Sequence, residues 1–332
     1  MKMFSLEGSD SGGGTAHAQP SQEVRTTCGV VFTYRERVEE VLLTIQSIVE
    51  VAQGQLTHID ILVNGNFEVA TSLRKHLQYR SERPLMFDVR VWSVEKKGKD
   101  HSWNEYVHSL WDGQSQVFFF DGYANPEQGS IARAIELLAR EPYRLAISSY
   151  PLGLRTSGNL SAEAKSEGGL CGGMFLLSHQ AMAQMRASGF RLPVGLYGFD
   201  TVLGAALGYG LSPERADWDV KRHIGADDGI TFRILTSTVP STRTAKHFVG
   251  RQVKSGLRRL VCAATQHYFS VLNLPISLVP TTVESYVAEW IRMKPAAFVR
   301  IAATHPIAVL ALYRAFAEAR RRRKNERFIR FY

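Results

Sequence analysis

The sequence predicts an α/β fold, a mostly parallel sheet flanked by helices, followed by a helical C-terminal extension. Three observations carry that expectation. From residue 27 to 149, short apolar runs alternate with amphipathic stretches, the pattern of strands and crossover helices. Beyond about residue 240 the alternation stops and helical periodicity remains. The chain has 332 residues, 45% hydrophobic and 21% charged, an ordinary globular composition long enough to bury a sizeable core.

The elements follow in order. Residues 1–24 are rich in Gly, Ser and polar side chains and read as a disordered segment. Thr27–Tyr34 (TCGVVFTY) is a nearly unbroken apolar run, as in a strand buried on both faces. In Arg35–Val51, Val38, Val41, Leu42, Ile45, Ile48 and Val49 recur at spacings of three and four, which gives a helix one apolar face. Ile59–Val63 is a second buried strand, closed by the turn signal Asn64-Gly65-Asn66. Phe67–Tyr79 reads as a helix, Met86–Val94 as an alternating strand and Asp100–Leu110 as a helix. Val117–Asp121 is a central strand, Pro126 stands near the start of a helix at about 127–140, and Arg144–Ser149 is another strand. A Gly/Ser/Ala-rich loop at 150–168 leads to Gly168–Ser178, a glycine-rich turn running into an apolar strand. Helices are expected at 179–187 and 200–207, then at 246–265, 282–293 and 296–325. The domain expectation is a disordered 1–24, an α/β domain over 25–240 and a basic helical extension over 241–332.

Net charge is +9, which taken alone points to an anionic partner. The excess is uneven. Residues 241–332 hold 17 Lys/Arg and 4 Asp/Glu, leaving 23 basic and 27 acidic residues for 1–240. A mildly acidic body argues against a main domain built as a nucleic-acid-binding surface. Cys28, Cys171 and Cys262 lie far apart without CxxC spacing, which excludes a disulfide framework and a Cys-based zinc site and fits a reducing compartment. The opening residues lack the apolar core of a secretory signal, and no run of about 18 uncharged apolar residues occurs. The nearest candidate, 296–313, is broken by Arg300, His305 and Pro306. The expected location is cytoplasmic. The run Arg320–Lys324, with Phe328, Ile329, Phe331 and Tyr332 beyond it, suits a helix lying peripherally on an anionic inner membrane face. A packed helix with a solvated arginine run, or a polyanion site, fits the same residues.

In parallel α/β sheets, ligands bind beyond the carboxyl ends of the strands. That rule selects Phe32–Glu36, Val63–Asn66, the loop after Val94 and Asp121–Asn125. Taken singly, these residues have plain readings. Lys96, Lys97 and Lys99 make a solvated loop, Asp121 a strand-end turn, Gly168–Gly173 a tight turn, Asp200 a helix cap, Asp227-Asp228 a cap or turn, and His223 a surface histidine.

Taken in order, the segments resemble family 2-type nucleotide-sugar glycosyltransferases of the GT-A fold, over about residues 27–225. Val30–Glu36 (VVFTYRE) resembles the family's V-I/V-P-T-Y-N-E start, with Phe32 for proline and Arg35 for asparagine. Asn64-Gly65-Asn66 stands where the family has D-D-G-S, and Asn64 offers a carbonyl acceptor to a base. Lys97-Gly98-Lys99 with Asn104 resembles K-G-K-x-x-A-L-N, and Phe118–Tyr123 (FFFDGY) occupies the D-x-D position with Tyr123 for the second carboxylate. Gly168–Gly173 (GGLCGG) resembles the acceptor-side glycine loop, and Gly198-Phe199-Asp200 resembles G-E-D, with Phe199 for Glu. The processive members' Q-x-x-R-W motif is missing from the sequence.

The resemblance implies an inverting transferase that moves a sugar from a nucleotide-sugar donor, UDP-linked by expectation, to an acceptor hydroxyl. Asp200 would be the general base. Thr33, Tyr34, Glu36, Asn64, Lys99, Asn104, Asp121 and Gly172 would bind the donor. A divalent cation, Mn²⁺ or Mg²⁺, would sit on Asp121, with Asn125 as a substitute ligand and His223, or its competitor His247, as a late ligand. Acceptors of four classes fit: a lipid-linked saccharide, a protein, a small molecule or a nucleic acid. Two other readings use the same residues: a degenerate, non-catalytic GT-A module that binds a partner, and a transferase for a polyanionic acceptor such as modified DNA.

Overall fold

The computed structural model describes residues 26–34, 36–79, 88–152, 169–234 and 242–329. The expected disorder of 1–24 and the loop at 153–168 lie outside the described residues.

The first strand, β1 (Thr27–Thr33), is buried at every position. It leads to α1 (Val38–Ala52), whose first turn is closed by Glu40 accepting from the Arg37 amide at 2.9 Å. β2 (His58–Asn64), α2 (Phe67–Tyr79) and β3 (Asp88–Val94) follow as the sequence leads one to expect. α3 (Lys99–Glu105) widens into a π-helical turn at Tyr106–Leu110 before β4 (Gln116–Asp121). Next come β5 (Ala124–Pro126), α4 (Ser130–Arg140), β6 (Ala146–Leu152), β7 (Met174–Leu177) and α5 (His179–Ser188), whose Ser178 cap accepts from the Ala181 amide. α6 (Asp200–Gly208), the short α7 (Val220–His223) and β8 (Ile224–Ile234) complete the α/β part.

The sheet has order β3-β2-β1-β4-β7-β6-β8-β5. The pairs β1–β2, β2–β3, β1–β4 and β6–β8 are parallel, while β7 and β5 join antiparallel. The sheet is therefore mixed, with parallel pairs in the majority. One face is covered by α1, α2 and α4, and the other by α3, α5, α6 and the C-terminal helices.

Three expectations change. Pro126 is not at a helix start but in β5, the outermost strand, where its missing N–H costs no ladder bond toward a further neighbour. Asp227 and Asp228 lie inside β8 rather than at a cap. The run IGADDG has no alternation, and its register against β6 shifts between Ser148 and Tyr150. Asp227 even forms a local turn bond to the Gly229 amide at 2.8 Å, so composition masks the strand. Finally, the helix expected at 296–325 is two.

The C-terminal helices are α8 (Thr242–Gln266), α9 (Val283–Met293), α10 (Pro295–Thr304) and α11 (Pro306–Ile329). His305-Pro306 separates the last two, which meet at a 115° bend. α8 packs on α6 and α11. At Gly256 a Cβ would stand 2.9 Å from the Ala308 backbone, so glycine permits the α8–α11 approach. Leu260, Val261, Tyr286, Trp290 and Ala308 share one continuous core with Phe119, Phe175 and Leu203 of the α/β part.

Candidate active site

Register fixes the location. Phe32 pairs with Asp121 across β1–β4, Thr33 with Val63 across β1–β2, and Asn64 with Val94 across β2–β3. Four strand ends are thus level. Between β1 and β4 the chain reverses its direction of sheet growth, which leaves a crevice at that point.

Asp121 ends β4. Its amide donates to the Gly173 carbonyl at 2.8 Å, which anchors the glycine turn beside it. Both carboxylate oxygens are engaged. Oδ1 takes the Lys99 ammonium, and Oδ2 accepts from the Tyr123 hydroxyl at 2.8 Å. Burial, with the Asp121 charge, pushes the Tyr123 phenol far above its usual range, so it stays a donor. Lys99 also donates to the Gly172 carbonyl at 2.9 Å. Its ammonium stands 4.4 Å from the Phe199 ring centroid and 5.2 Å from that of Phe32.

Gly172 links this end of the crevice to Asp200. A Cβ at Gly172 would lie 3.3 Å from Asp200 Cβ. Asp200 opens α6, with Phe199 rather than Asp200 in the cap position. Its Oδ2 accepts from Arg258 at 2.8 Å, and Arg258 Nε donates to Thr201 Oγ1 at 3.2 Å. Gly198, at φ +75°, turns the chain so that Asp200 Oδ1 is left uncrowded; a Cβ there would meet that oxygen at 3.0 Å.

Around β1, Glu36 accepts from the Thr33 hydroxyl at 3.1 Å and from the Tyr34 amide at 2.6 Å. Thr33, Tyr34 and Glu36 therefore form one turn beside Asp121, and Gly122 donates to the Phe32 carbonyl at 2.8 Å.

Three expected site residues stand differently. Asn64 is 1% exposed, and its carbonyl accepts from Ser102, so the acceptor foreseen for a base is already used; its Nδ2 has no partner among the described residues. Asn104 spends both side-chain groups on the Leu192 backbone, at 2.8 and 2.9 Å, and holds the loop before α6 instead of a ligand. His223 is at the opposite end of the strands from Asp121. It precedes Ile224, the partner of Ala146, which lies level with Leu177 and hence with Val117, the start of β4. Asp121 is four residues further along, an offset of about 13 Å in the strand direction alone at a rise of about 3.3 Å per residue, and three strands across. The His223 ring instead meets the Gly208 carbonyl at 3.2 Å. The side chain of His247 lies outside the described residues.

These donors do not fit a divalent ion. Such an ion takes several oxygen ligands. Among the described residues no group of three His, Cys, Asp or Glu side chains forms a cluster, and Asp121 is already neutralised by an ammonium. Asn125, the substitute ligand, is buried with both amide atoms unpartnered among the described residues, and it lies in β5 opposite Arg233.

Arg258 is the site residue that sequence reasoning misses. It lies in α8, outside the resemblance. The available signal is Lys254 and Arg258 four residues apart, on one helix face. Lys254 stands 4.9 Å from the Tyr197 ring in the loop before Asp200. A separate cavity of about 480 Å³ opens at the end of β3, walled by Trp92, Val94, Lys96, His101 and Arg191; it shares the lysine loop but not Asp121 or Asp200.

No protein-family profile matches the chain, and no curated protein matches it in sequence. Solved structures do. A mannosyltransferase from Pyrobaculum calidifontis, in complex with GDP-Man and Mn²⁺, superposes with a TM-score of 0.54 at 13% identity, over 89% of this chain and 86% of that one. Glucosyl-3-phosphoglycerate synthase from Mycobacterium tuberculosis, with Mn²⁺, UDP and phosphoglyceric acid, gives 0.47 at 15% identity, over 74% and 79%. With its strand order, level strand ends and crevice, the chain has the GT-A fold of nucleotide-sugar glycosyltransferases.

Proposed function

We propose that the protein is an inverting glycosyltransferase that uses a nucleotide-sugar donor, with a UDP-sugar as the first candidate. The observation that carries this reading is the pairing of two carboxylates through one glycine. Asp121 with Lys99 lies on one side of Gly172 and Asp200 on the other. The Thr33–Glu36 turn borders the Asp121 side, where a nucleoside diphosphate would lie.

The reaction uses the chain's own groups. Asp200 Oδ1, which accepts no hydrogen bond from a described residue, takes the proton of the acceptor hydroxyl. The hydroxyl oxygen forms its bond to the anomeric carbon as the bond from that carbon to the diphosphate oxygen breaks. The nucleoside diphosphate leaves with the electron pair, and the configuration inverts. Lys99 faces the charge that develops on the leaving oxygen. Arg258 holds the Asp200 carboxylate in place through Oδ2.

The test is a panel of UDP-, GDP- and dTDP-sugars, scored for binding and for release of the nucleoside diphosphate. Binding and release of one nucleotide class support the reading. A folded protein that binds none of them leaves the GT-A scaffold as a partner-binding module.

A further inference from the structure

The geometry points to a built-in substitute for the metal: Lys99 supplies the positive charge at Asp121 that a divalent cation would otherwise bring. This rests on the glycosyltransferase reading above. Its support is that three departures from the family pattern converge on one ion pair. Tyr123, in place of the second carboxylate, donates to Asp121 Oδ2. Phe199, in place of Glu, puts its ring 4.4 Å from the Lys99 ammonium, and Phe32, in place of proline, puts its ring at 5.2 Å. Each change removes something a metal site would use or adds something an ammonium uses. A dication at Asp121 would have to displace both donors and then face Lys99. An ammonium has three donors, and two are recorded, to Asp121 and Gly172. Among the described residues the third has no acceptor, and on this inference it meets a phosphate oxygen.

Calorimetric titration of the full chain with the bound nucleoside diphosphate, in EDTA and in Mn²⁺, tests this. The expected dissociation constant is the same in both. Lys99→Ala is expected to weaken binding by roughly tenfold or more, the loss of a charge-assisted hydrogen bond, with Lys99→Arg recovering part of it. Binding that requires Mn²⁺ overturns the inference while leaving the transferase reading intact. Absence of nucleotide binding in both buffers overturns both. Mn²⁺ alone, followed by electron paramagnetic resonance, gives a second readout. A stoichiometric Mn²⁺ site abolished by Asp121→Asn also overturns the inference.

A second and independent observation concerns α10 and α11. α10 has no fully buried residue, although eight of its ten residues are apolar or proline; Ala297, Phe298 and Ile301 are half-buried against the core. Val299, Ile307, Val309, Leu310 and Tyr313 are exposed across the bend. Between Glu289 and Glu318 the sequence has no Asp or Glu, and its charges are Arg292, Lys294, Arg300 and Arg314. No helix of the described residues is long and apolar enough to cross a membrane alone; the bent pair passes that test jointly. We infer that this hairpin docks on an anionic lipid surface, its apolar side chains entering the interface and its cations at the headgroups. Charge selects this occupant. A second copy would bring cation against cation, and a polynucleotide would leave the apolar side chains uncovered.

Co-sedimentation of the full chain with phosphatidylcholine vesicles, with and without phosphatidylglycerol, is the test. Binding is expected with the anionic lipid, reduced by salt, and weakened about tenfold or more by Leu310→Glu with Tyr313→Glu, each of which removes buried apolar area. Arg300→Glu is expected to act in the same direction, and circular dichroism confirms that the variants fold. Failure to bind anionic vesicles at low salt overturns the inference. So does binding insensitive to the apolar substitutions, or a dimer in light scattering that the same substitutions dissolve.

Discussion

The two carboxylates of the crevice are each held by one cation, and the two pairs are built differently. In Lys99–Asp121 the side chains are 24% and 15% exposed, with aromatic rings against the ammonium. In Arg258–Asp200 the carboxylate is similarly sheltered, but the guanidinium is 46% exposed and comes from the C-terminal layer. An enclosed pair resists screening, whereas salt and water compete with an exposed one. The first pair is thus an enclosed, fixed ion pair at the end of β4, which on the proposed reading presents the Lys99 ammonium to an anionic donor. The second leaves one oxygen of its carboxylate open among the described residues and takes its cation from another layer, which on the proposed reading suits a base that meets an incoming hydroxyl.

The largest expected effect separates the two ends by what each does. Asp200→Asn keeps the shape and Arg258 but removes the basic oxygen. It should lower the transfer rate by about 10²–10⁴, the usual worth of general-base catalysis, with nucleotide affinity unchanged. Asp121→Asn should act at the binding step instead, because a neutral amide no longer anchors the Lys99 ammonium by charge. Titration of both variants with the same nucleoside diphosphate, beside their turnover, checks the split. Normal turnover in Asp200→Asn would remove that residue from the chemistry.

The next effect is smaller and tests the exposed pair. Arg258→Ala should lower the rate by about tenfold by freeing the Asp200 rotamer, with little change in nucleotide affinity. The wild-type rate should approach that of the variant as salt rises, and the variant should respond less. Equal salt responses would show that Arg258 does not position Asp200. Gly198→Ala should act on the same carboxylate, since a Cβ at φ +75° is strained and crowds Oδ1. Its rate should fall while donor binding holds.

Much of the β1–β4 end of the crevice is legible in the sequence, and less of the Asp200 end. Buried parallel strands declare themselves as apolar runs, so β1, β2 and β4 and the residues at their ends could be placed from periodicity and the switch-point rule. Asp121, Lys99 and the Thr33–Glu36 turn meet as the motif order suggested. Asn64 and Asn104 show the limit of motif transfer: a side-chain amide reads the same in sequence whether it faces a ligand or, as here, Ser102 and the Leu192 backbone. His223 failed for a topological reason. IGADDG lacks alternation and so does not mark β8, and without that strand nothing places the histidine at the far end of the strands. Arg258 was missed because long-range packing of α8 on α6, not local pattern, brings it to Asp200.

The smallest effect on function, and the control for both pairs, comes from a third carboxylate. Asp60 is 1% exposed and accepts from Arg90 Nε and Nη2 at 2.7 and 2.8 Å and from Trp92 Nε1 at 2.7 Å, with His58 at 3.4 Å. Burial alone would raise its pKa, but the His58, Arg90 and Trp92 hydrogen bonds outweigh it, and the pKa is lowered. A carboxylate lowered on folding adds stability that is full above its ordinary range and is lost as pH falls through the folded value. Asp60→Asn should therefore cost about 1–3 kcal/mol near neutral pH in urea unfolding, and the cost should shrink on acidification. Nucleotide affinity and turnover should not move, because Asp60 lies within β2, four residues before the strand end that borders the crevice. A variant that lost nucleotide binding while keeping its stability would place Asp60 in the same electrostatic unit as Asp121 and would undo the division between structural and working pairs.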